Sequence, residues 1–506
     1  MKILLVQPKK PEKTFGGDDF AMFEPLALGY LAAAVKDEHE VRIVDLRIED
    51  VLDETLEEFR PDVVGVTAYT VHVNVVNRMC EKIKGLGRGI TTVVGGHHAT
   101  VHHEDFVTPH IDLIVTGEGS IPFRAAMERV AQGRSFEDIP GCIYKQDGEL
   151  VIQEAVSYDL DTVPMPDRSF TKRYRNHYAS EWMRPMASVR TSKGCPFSCS
   201  YCALWTLTGR KYLVRDPEKI VEELKSVEEP CVFFADDESF IQVDRMMELA
   251  DAIEASGVKK RYYLYVRADT TVRHPELLQR WKDVGLERVF VGLEFFKDED
   301  LDAVNKAGSA DKNNGAIKII QDLGIDLFPA FIIRPDFDKE DFEDLAKYCR
   351  DHNFDFVGFS VLTPLPGTEL HRELADQMIL KNYDYYDFVH TLLPTKLPYK
   401  EFYKQYRRLF DTSRTFRAKF AFLWKYRWRE IPRLFALAWR FNLHFARLYR
   451  DYDDLDAVNA EQVRYGGMPT RRPLMQLRLA KEGEEKRRLP TAVASSESSS
   501  VEGWGR

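Results

Sequence analysis

The chain has 506 residues, too many for one hydrophobic core, so two or three domains are expected. Asp and Glu outnumber Lys and Arg by 81 to 71, a formal charge of −10, which excludes an overall polyanion-binding character. Seven cysteines, three of them on one loop, make no disulfide scaffold and indicate a reducing compartment; no run of about 18 residues is continuously apolar, so no spanning helix is expected and the chain reads as cytoplasmic.

The segment Met1-Lys-Ile-Leu-Leu-Val-Gln-Pro8 lacks the charged start and small-residue cleavage site of a signal peptide and reads as a buried strand. Through residues 1–130, apolar runs at 3–6, 41–44, 63–67, 92–94 and 113–115 alternate with helical patterns at 26–36, 73–84 and 121–130. That alternation predicts a doubly wound parallel sheet, an α/β unit whose ligands sit at the carboxyl ends of the strands. Those ends carry Pro8, Thr67 with Tyr69, Gly95 and Gly96 followed by His97 and His98, and Gly117 with Glu118. Paired glycines let backbone approach a bulky or phosphate-bearing ligand closely.

Residues 131–185 read as a connector, with a hairpin around Asp147-Gly148 and a proline-containing crossover at Pro164 and Pro166. Residues 186–385 return to strand–helix alternation, with strands predicted at 186–189, 231–235, 262–266, 288–291, 327–333 and 356–362. This repetition predicts a partial (β/α) barrel, whose functional groups come from the C-terminal strand ends. Residues 386–465 read as a helical basic-aromatic domain: 414–450 holds ten Lys/Arg against Glu430 alone, with Trp424, Trp428 and Trp439 among Leu423, Phe435, Leu437 and Phe441. Three readings stay open for it: peripheral contact with a membrane, helices packed over the barrel mouth, and a nucleic-acid-binding arm. The aromatic bias favours lipid over nucleic acid. Residues 466–506, charged and then serine-rich, are expected to be disordered.

Cys195, Cys199 and Cys202 have the spacing C-x-x-x-C-x-x-C. Three thiolates on one short loop hold three irons of a [4Fe–4S] cluster and leave the fourth open to chelate a small molecule. A structural zinc site would take four ligands in pairs, whereas Cys80, Cys142, Cys231 and Cys349 stand singly. With Tyr201 just before the last cysteine, the loop resembles the signature of the radical S-adenosylmethionine (SAM) enzymes, whose open iron binds the amino and carboxylate groups of SAM.

SAM also presents a ribose diol, suited to carboxylate acceptors. Asp236, Asp237 and Glu238, at the end of the second barrel strand, are candidate acceptors; a helix N-cap and a solvated face is their plainer role. Arg267, after the third strand, is a candidate partner for the SAM carboxylate. Glu294, closing the fourth, is a further candidate or a structural salt bridge, and Tyr201 is counted with the cofactor-binding candidates. Arg334 and Asp336 stand where many relatives have a glycine-rich turn.

Pro25-Leu-Ala-Leu-Gly-Tyr-Leu31, Asp45, the 95–100 segment and Thr116-Gly-Glu-Gly119 occur in that order ahead of the cluster loop. The combination resembles the cobalamin-binding domain that precedes the radical SAM core in one large subfamily, over nearly all of residues 1–130. It implies cobalamin contacts from Thr67, Tyr69, Gly95, Gly96, His98, Gly117 and Glu118. The Asp-x-His-x-x-Gly pattern that supplies a lower histidine ligand elsewhere is missing, so His97 and His98 are expected to hydrogen-bond or pack near the corrin.

The resemblance implies an α/β architecture: a doubly wound, Rossmann-like cobalamin-binding domain, a partial (β/α) barrel radical SAM core and a helical C-terminal region. It implies reductive cleavage of SAM, hydrogen abstraction from an unactivated carbon by the 5′-deoxyadenosyl radical, and methyl transfer from methylcobalamin, with flavodoxin or ferredoxin as electron donor. Domain order, length, the Cys202-Ala-Leu-Trp205 continuation and the basic aromatic region resemble the hopanoid C-3 methylases, which implies a lipid-like small-molecule substrate. A radical SAM oxidative cyclase acting on a tetrapyrrole or lipid, or a methylase of another small molecule, stays open. An RNA methylthiotransferase would need three further N-terminal cysteines, and only Cys80 and Cys142 precede the core.

Overall fold

A computed structural model describes residues 1–462 apart from 15, 16, 20, 307 and 426–430. The tail expected at 466–506, Trp428 and Glu430 lie outside the described residues.

Five parallel strands, β1 (Lys2–Gln7), β2 (Glu40–Asp45), β3 (Val63–Thr67), β4 (Thr91–Gly95) and β5 (Leu113–Val115), lie in the order β2-β1-β3-β4-β5. Their runs of Val, Ile and Leu are buried on both faces, as a parallel sheet sandwiched by helices requires. Leu4, Val6, Val64 and Val66 pack with Val76, Cys80 and Ile83 of the helix Val73–Gly85. Ile3, Leu5 and Val63 pack on the other face with Leu28, Ala32, Phe123 and Met127 from the helices Leu26–Val35 and Ser120–Ala131. A further helix, Leu52–Phe59, joins β2 to β3 and buries Leu52, Leu56 and Phe59.

The hairpin expected within the connector is β6 (Cys142–Gln146) and β7 (Glu149–Ile152), turning at Asp147 (φ 51°) and Gly148 (φ 83°). Both left-handed residues suit a two-residue hairpin turn. β6 pairs antiparallel with β5, so the first sheet has seven strands and extends past residue 130 to Ile152. Cys142, Ile143 and Tyr144 are buried, and that burial draws the hairpin onto the sheet edge.

The second sheet has six parallel strands in sequence order: β8 (Met186–Val189), β9 (Cys231–Phe234), β10 (Arg261–Tyr265), β11 (Leu286–Glu294), β12 (Asp326–Ile333) and β13 (Gly358–Val361). Ala187, Val189, Val232, Phe234, Tyr262 and Leu264 face the outer helices. Met186, Cys231, Phe233 and Tyr263 face inward, with Tyr265, Phe290 and Phe328 against them. Inside the barrel, Arg288 is fully buried, paired with Glu181 and with Asp326 (3.1 Å), its guanidinium 4.5 Å from the Trp182 ring.

The two sheets are tied by buried charge. Glu24, just before the first helix, accepts from Arg168 (3.2 Å), from Arg175 and from the Ser188 backbone of β8 (2.5 Å). Arg168 also meets Glu223 at 2.7 Å. Beyond the barrel, the helix Tyr399–Thr412 packs against Lys339–Asp351, and Tyr406 donates to the Phe359 carbonyl of β13 (2.8 Å). The helices Phe416–Lys425 and Ile431–Phe445 follow.

Candidate active site between the two sheets

The cluster loop begins where β8 ends. Gly194 sits at φ 96°, and a Cβ there would meet the Lys211 carbonyl at 2.1 Å and the Thr208 hydroxyl at 2.6 Å, so only glycine fits. Cys199 is buried and Cys195 and Cys202 half-buried, with the Trp205 indole donating to the Cys199 carbonyl (3.2 Å). Burial, with a smaller push from neighbouring thiols, raises the Cys195 thiol to about 11 and Cys202 to about 12. Bare Cys195 and Cys202 stay protonated near neutrality. A bound cation is what holds such a trio as thiolates, so the donor set fits an iron–sulfur cluster.

The acidic run after β9 divides its work. Asp236 is buried and accepts from the backbone N–H of Thr191 (2.7 Å) and Ser192 (2.8 Å) and from the Thr191 hydroxyl (2.5 Å). A candidate for SAM from sequence, it holds the root of the cluster loop and also lines the cavity. Asp237 accepts from the Gly194 N–H (2.7 Å) and is half-buried at the cavity wall. Glu238 is buried, and burial pushes its carboxyl up to about 8 against the pull of Arg267. Arg267 pairs with Asp269 (2.8 Å) and lies 3.6 Å over the Phe197 ring of the cluster loop.

Glu294 closes β11 with φ 63° and pairs with Lys306 (2.8 Å), and Tyr201 hydrogen-bonds it. Gly292 leaves room for that side chain, since a Cβ there would meet Glu294 Oε1 at 2.3 Å. Glu294 therefore has the salt bridge weighed for it, and Lys306 and Tyr201 hold it beside the loop. Arg334 pairs with Asp336 and Asp300, both at 2.5 Å.

The N-terminal candidates separate into two sets. Thr67 and Tyr69 line a cavity between the sheets, and the 57% exposed Tyr69 side chain lies within electrostatic reach of Arg47, Asp18 and Asp237. The others serve packing. A Cβ on Gly96 (φ 101°) would meet Thr67 Oγ1 at 2.6 Å, one on Gly95 the Val115 carbonyl at 3.2 Å, and one on Gly117 (φ 78°) the Ala155 side chain at 2.9 Å. At these glycines, candidates for close approach of a ligand, the Cβ position is filled by neighbouring protein. His98 is buried, with Nδ1 on Thr70 (3.1 Å) and Nε2 on Asp105 (2.8 Å), so both ring nitrogens are engaged. Glu118, expected on cobalamin, pairs instead with Arg190 (2.9 Å) and Lys193 (3.2 Å) at the foot of the cluster loop, and those cations hold its carboxyl below the usual range against burial.

The cavity has a volume of about 1090 Å³. It runs from Gln7, Thr67 and Tyr69 at the ends of β1 and β3, past Asp237 and Leu204 beside the cluster loop, and along Phe233, Tyr265, Phe328 and Phe356 of the barrel. It continues to Phe410, Phe441 and Phe445 of the C-terminal helices. Leu26–Leu28, from the 25–31 segment that carried the cobalamin resemblance, also line it; Gln7 and Asp18 were missed from sequence, as was Arg47, which clamps Asp45 (2.7 Å) and Asp18 (3.2 Å). An arginine two residues past the Asp45 strand end was the available signal. Leu437 and Phe441, for which packing over the barrel mouth was one of three open readings, form cavity wall, and Phe441 and Phe445 pack on Phe410 at 4.8 and 5.8 Å between centroids.

A parallel N-terminal sheet joined to a six-stranded half-barrel, with three thiols on the loop after its first strand, defines a class: a cobalamin-binding domain preceding a radical SAM core. Residues 21–127 match the B12 binding domain and residues 189–364 the Radical SAM superfamily. The chain is 34% identical over 410 residues to the hopanoid C-3 methylase of Methylococcus capsulatus, covering 80% of this chain and 78% of that one. It is 30% identical over 409 residues to an anaerobic magnesium-protoporphyrin IX monomethyl ester cyclase of Rubrivivax gelatinosus, covering 77% and 73%. Among solved structures, the methyltransferase TsrM from Kitasatospora setae, with cobalamin and a [4Fe–4S] cluster bound, superposes with a TM-score of 0.59 at 21% identity, covering 74% of this chain and 78% of that one. OxsB with aqua-cobalamin superposes at 0.64 and 15% identity, covering 96% and 80%, a likeness of fold. The chain belongs to the cobalamin-dependent radical SAM enzymes, with a [4Fe–4S] cluster, SAM and cobalamin as its cofactors, and it is a methyltransferase of that family.

Proposed function

We propose that the enzyme methylates an unactivated carbon of a hopanoid, at C-3 of the A ring, or of a closely similar polycyclic lipid. The observation that carries this is the cavity itself, whose mostly apolar wall, with Phe233, Phe328, Phe356, Phe410, Phe441 and Phe445, suits a rigid hydrocarbon. The 34% identity to the Methylococcus hopanoid methylase supports the same substrate class.

The cofactors supply radical and methyl-transfer chemistry that no acid–base side chain provides at neutral pH. Cys195, Cys199 and Cys202 would hold the cluster. Asp236 and Asp237 fix the loop that carries them through four hydrogen bonds to its backbone and hydroxyl groups. Glu238, Arg267, Glu294 and Tyr201 surround that loop as the groups offered to SAM. Gln7, Thr67, Tyr69 and Leu26–Leu28 are offered to cobalamin from the opposite wall. Reducing electrons come from a small carrier such as flavodoxin or ferredoxin, and the enzyme works in the cytoplasm against the inner face of the membrane that holds its substrate.

The test is lipid extraction from cells with and without the gene, followed by mass spectrometry of triterpenoids. The reading expects a species heavier by one CH2 only where the gene is present. An oxidative ring closure, the type of activity named for the Rubrivivax relative, would give a product without that added carbon.

A further inference from the structure

The helix Ile431–Phe445 is apolar on two opposite faces. Leu437, Phe441 and Phe445, at steps of four residues, face the cavity and pack on Phe410. Phe435, Trp439 and Leu443, again at steps of four but offset by about half a turn, are 68%, 66% and 40% exposed. The preceding helix Phe416–Lys425 repeats the pattern: Phe416, Phe420 and Trp424 are 87%, 62% and 81% exposed, and the last two rings lie 6.3 Å apart. A helix apolar all round is covered on every side in its working state. Here the protein covers one side.

This surface adjoins the substrate channel. Asp411, Phe435, Ala438 and Asn442 line the channel and are themselves exposed, so these helices border it where it meets the surface. The same channel reaches Asp237 and Leu204 at the cluster loop.

The charge of these two helices runs against that of the whole chain. The two helices carry Arg417, Lys419, Lys425, Arg433 and Arg440 and no Asp or Glu, in a protein of net charge −10. A second copy of the chain would bring the same cations against themselves in a two-fold contact. Aromatic stripes interleaved with basic residues match the boundary between headgroups and acyl chains of an anionic bilayer, with rings at the boundary and cations on phosphates. No described helix is long and apolar enough to cross a membrane, so the contact is with one leaflet.

We infer that the two aromatic helices dock on an anionic bilayer and that substrate passes from the leaflet directly into the channel between them. This inference rests on the lipid-substrate reading and adds the partner surface and the route. Phe416, Phe420, Trp424 and Trp439 anchor the dock, Arg417 and Arg440 select anionic lipid, and Phe435 and Ala438 form the threshold.

The experiment is co-flotation of the cluster- and cobalamin-loaded enzyme with phosphatidylcholine vesicles, with and without phosphatidylglycerol. Its companions are a Phe420→Ser/Trp424→Ser/Trp439→Ser variant and an Arg417→Glu/Arg440→Glu variant. The expected result is flotation of wild type with the anionic vesicles only, weakened by salt. Partitioning falls by about tenfold or more in both variants. Reductive SAM cleavage and turnover of detergent-dispersed triterpenoid stay at wild-type levels, while turnover of vesicle-embedded triterpenoid falls with the partitioning. Wild type that stays unbound, variants that float as well as wild type, or preferential capture of an RNA oligonucleotide would each overturn the inference. If vesicles bind but no triterpenoid is methylated, the dock stands and the substrate reading fails. If dispersed triterpenoid is methylated without vesicle binding, the substrate reading stands and the dock fails.

Discussion

Arg190, at the foot of the cluster loop, donates from Nη1 to Glu118 of the N-terminal sheet at 2.9 Å, and Lys193 reaches the same carboxylate oxygen at 3.2 Å. Arg190 also lies 4.6 Å over the Tyr30 ring. The loop that carries the cluster thiols is thus anchored on the domain that binds the second cofactor. Glu118→Gln removes the charge and keeps the shape. We expect a loss of about 2 kcal/mol in denaturant unfolding, the scale of a partly buried charged hydrogen bond. Iron content should hold while 5′-deoxyadenosine formation outruns methylated product, and the ratio of the two products is the readout.

Asp236 is the stronger support of the loop, with three acceptor bonds in a buried setting. Asp236→Ala leaves two backbone N–H groups and one hydroxyl without that acceptor, at about 1–3 kcal/mol for each buried orphan. The expected outcome is a sharp fall in iron bound per chain after anaerobic reconstitution. Glu238→Gln, which mimics the neutral form that burial favours up to about pH 8, should keep its iron. Equal iron loading in both variants would contradict these assignments.

Much of this architecture is legible in the sequence because parallel strands buried on both faces announce themselves as short apolar runs. The predicted strands 63–67, 113–115 and 186–189 match β3, β5 and β8 residue for residue. The hairpin at Asp147-Gly148 was visible, but its destination was not, since pairing with β5 depends on an edge that only the folded sheet presents. The thiol trio stood out from its spacing together with the family resemblance. The roles of Asp236, Gly96 and Glu118 could not, because a carboxylate or glycine at a strand end looks the same whether it faces a cofactor or neighbouring protein. The two-faced helix Ile431–Phe445 was read as one amphipathic surface, since sequence does not say which apolar stripe the barrel covers. The acidic helix Leu52–Phe59 escaped notice, as its three buried residues, Leu52, Leu56 and Phe59, are spaced among charges.

His390 is buried between Asp387 (2.9 Å) and Asp451 (3.2 Å), with Tyr385, Tyr452 and the His444 ring around it. Burial opposes its charge, but the two carboxylates prevail and raise it to about 9. Asp387 is lowered by the same partnership, despite its burial. The imidazolium contribution is therefore complete below the unfolded value near 6.5 and is lost as pH rises through about 9, an effect of about 3 kcal/mol. On the acid side, the Asp387 contribution is lost as pH falls below the ordinary carboxylate range. Unfolding midpoints should drop between pH 7 and 10 in wild type and stay nearly level there in His390→Gln.

Ala438 stands exposed at the channel mouth. Ala438→Trp fills the opening without touching the cluster loop. We expect kcat/KM for a pentacyclic lipid to fall by about tenfold or more, the penalty for a mis-sized apolar pocket. SAM cleavage without lipid should be unaffected.

The most direct measurement combines the reconstituted enzyme with a hopanoid, a reductant and SAM carrying a deuterated methyl group, and follows the lipid by mass spectrometry. The account predicts one CD3 group on the A ring, dependent on added cobalamin and abolished when Cys195, Cys199 and Cys202 are all alanine. A labelled lipid formed by the triple-alanine protein, or cleaved SAM with no label in any polycyclic lipid, would contradict it.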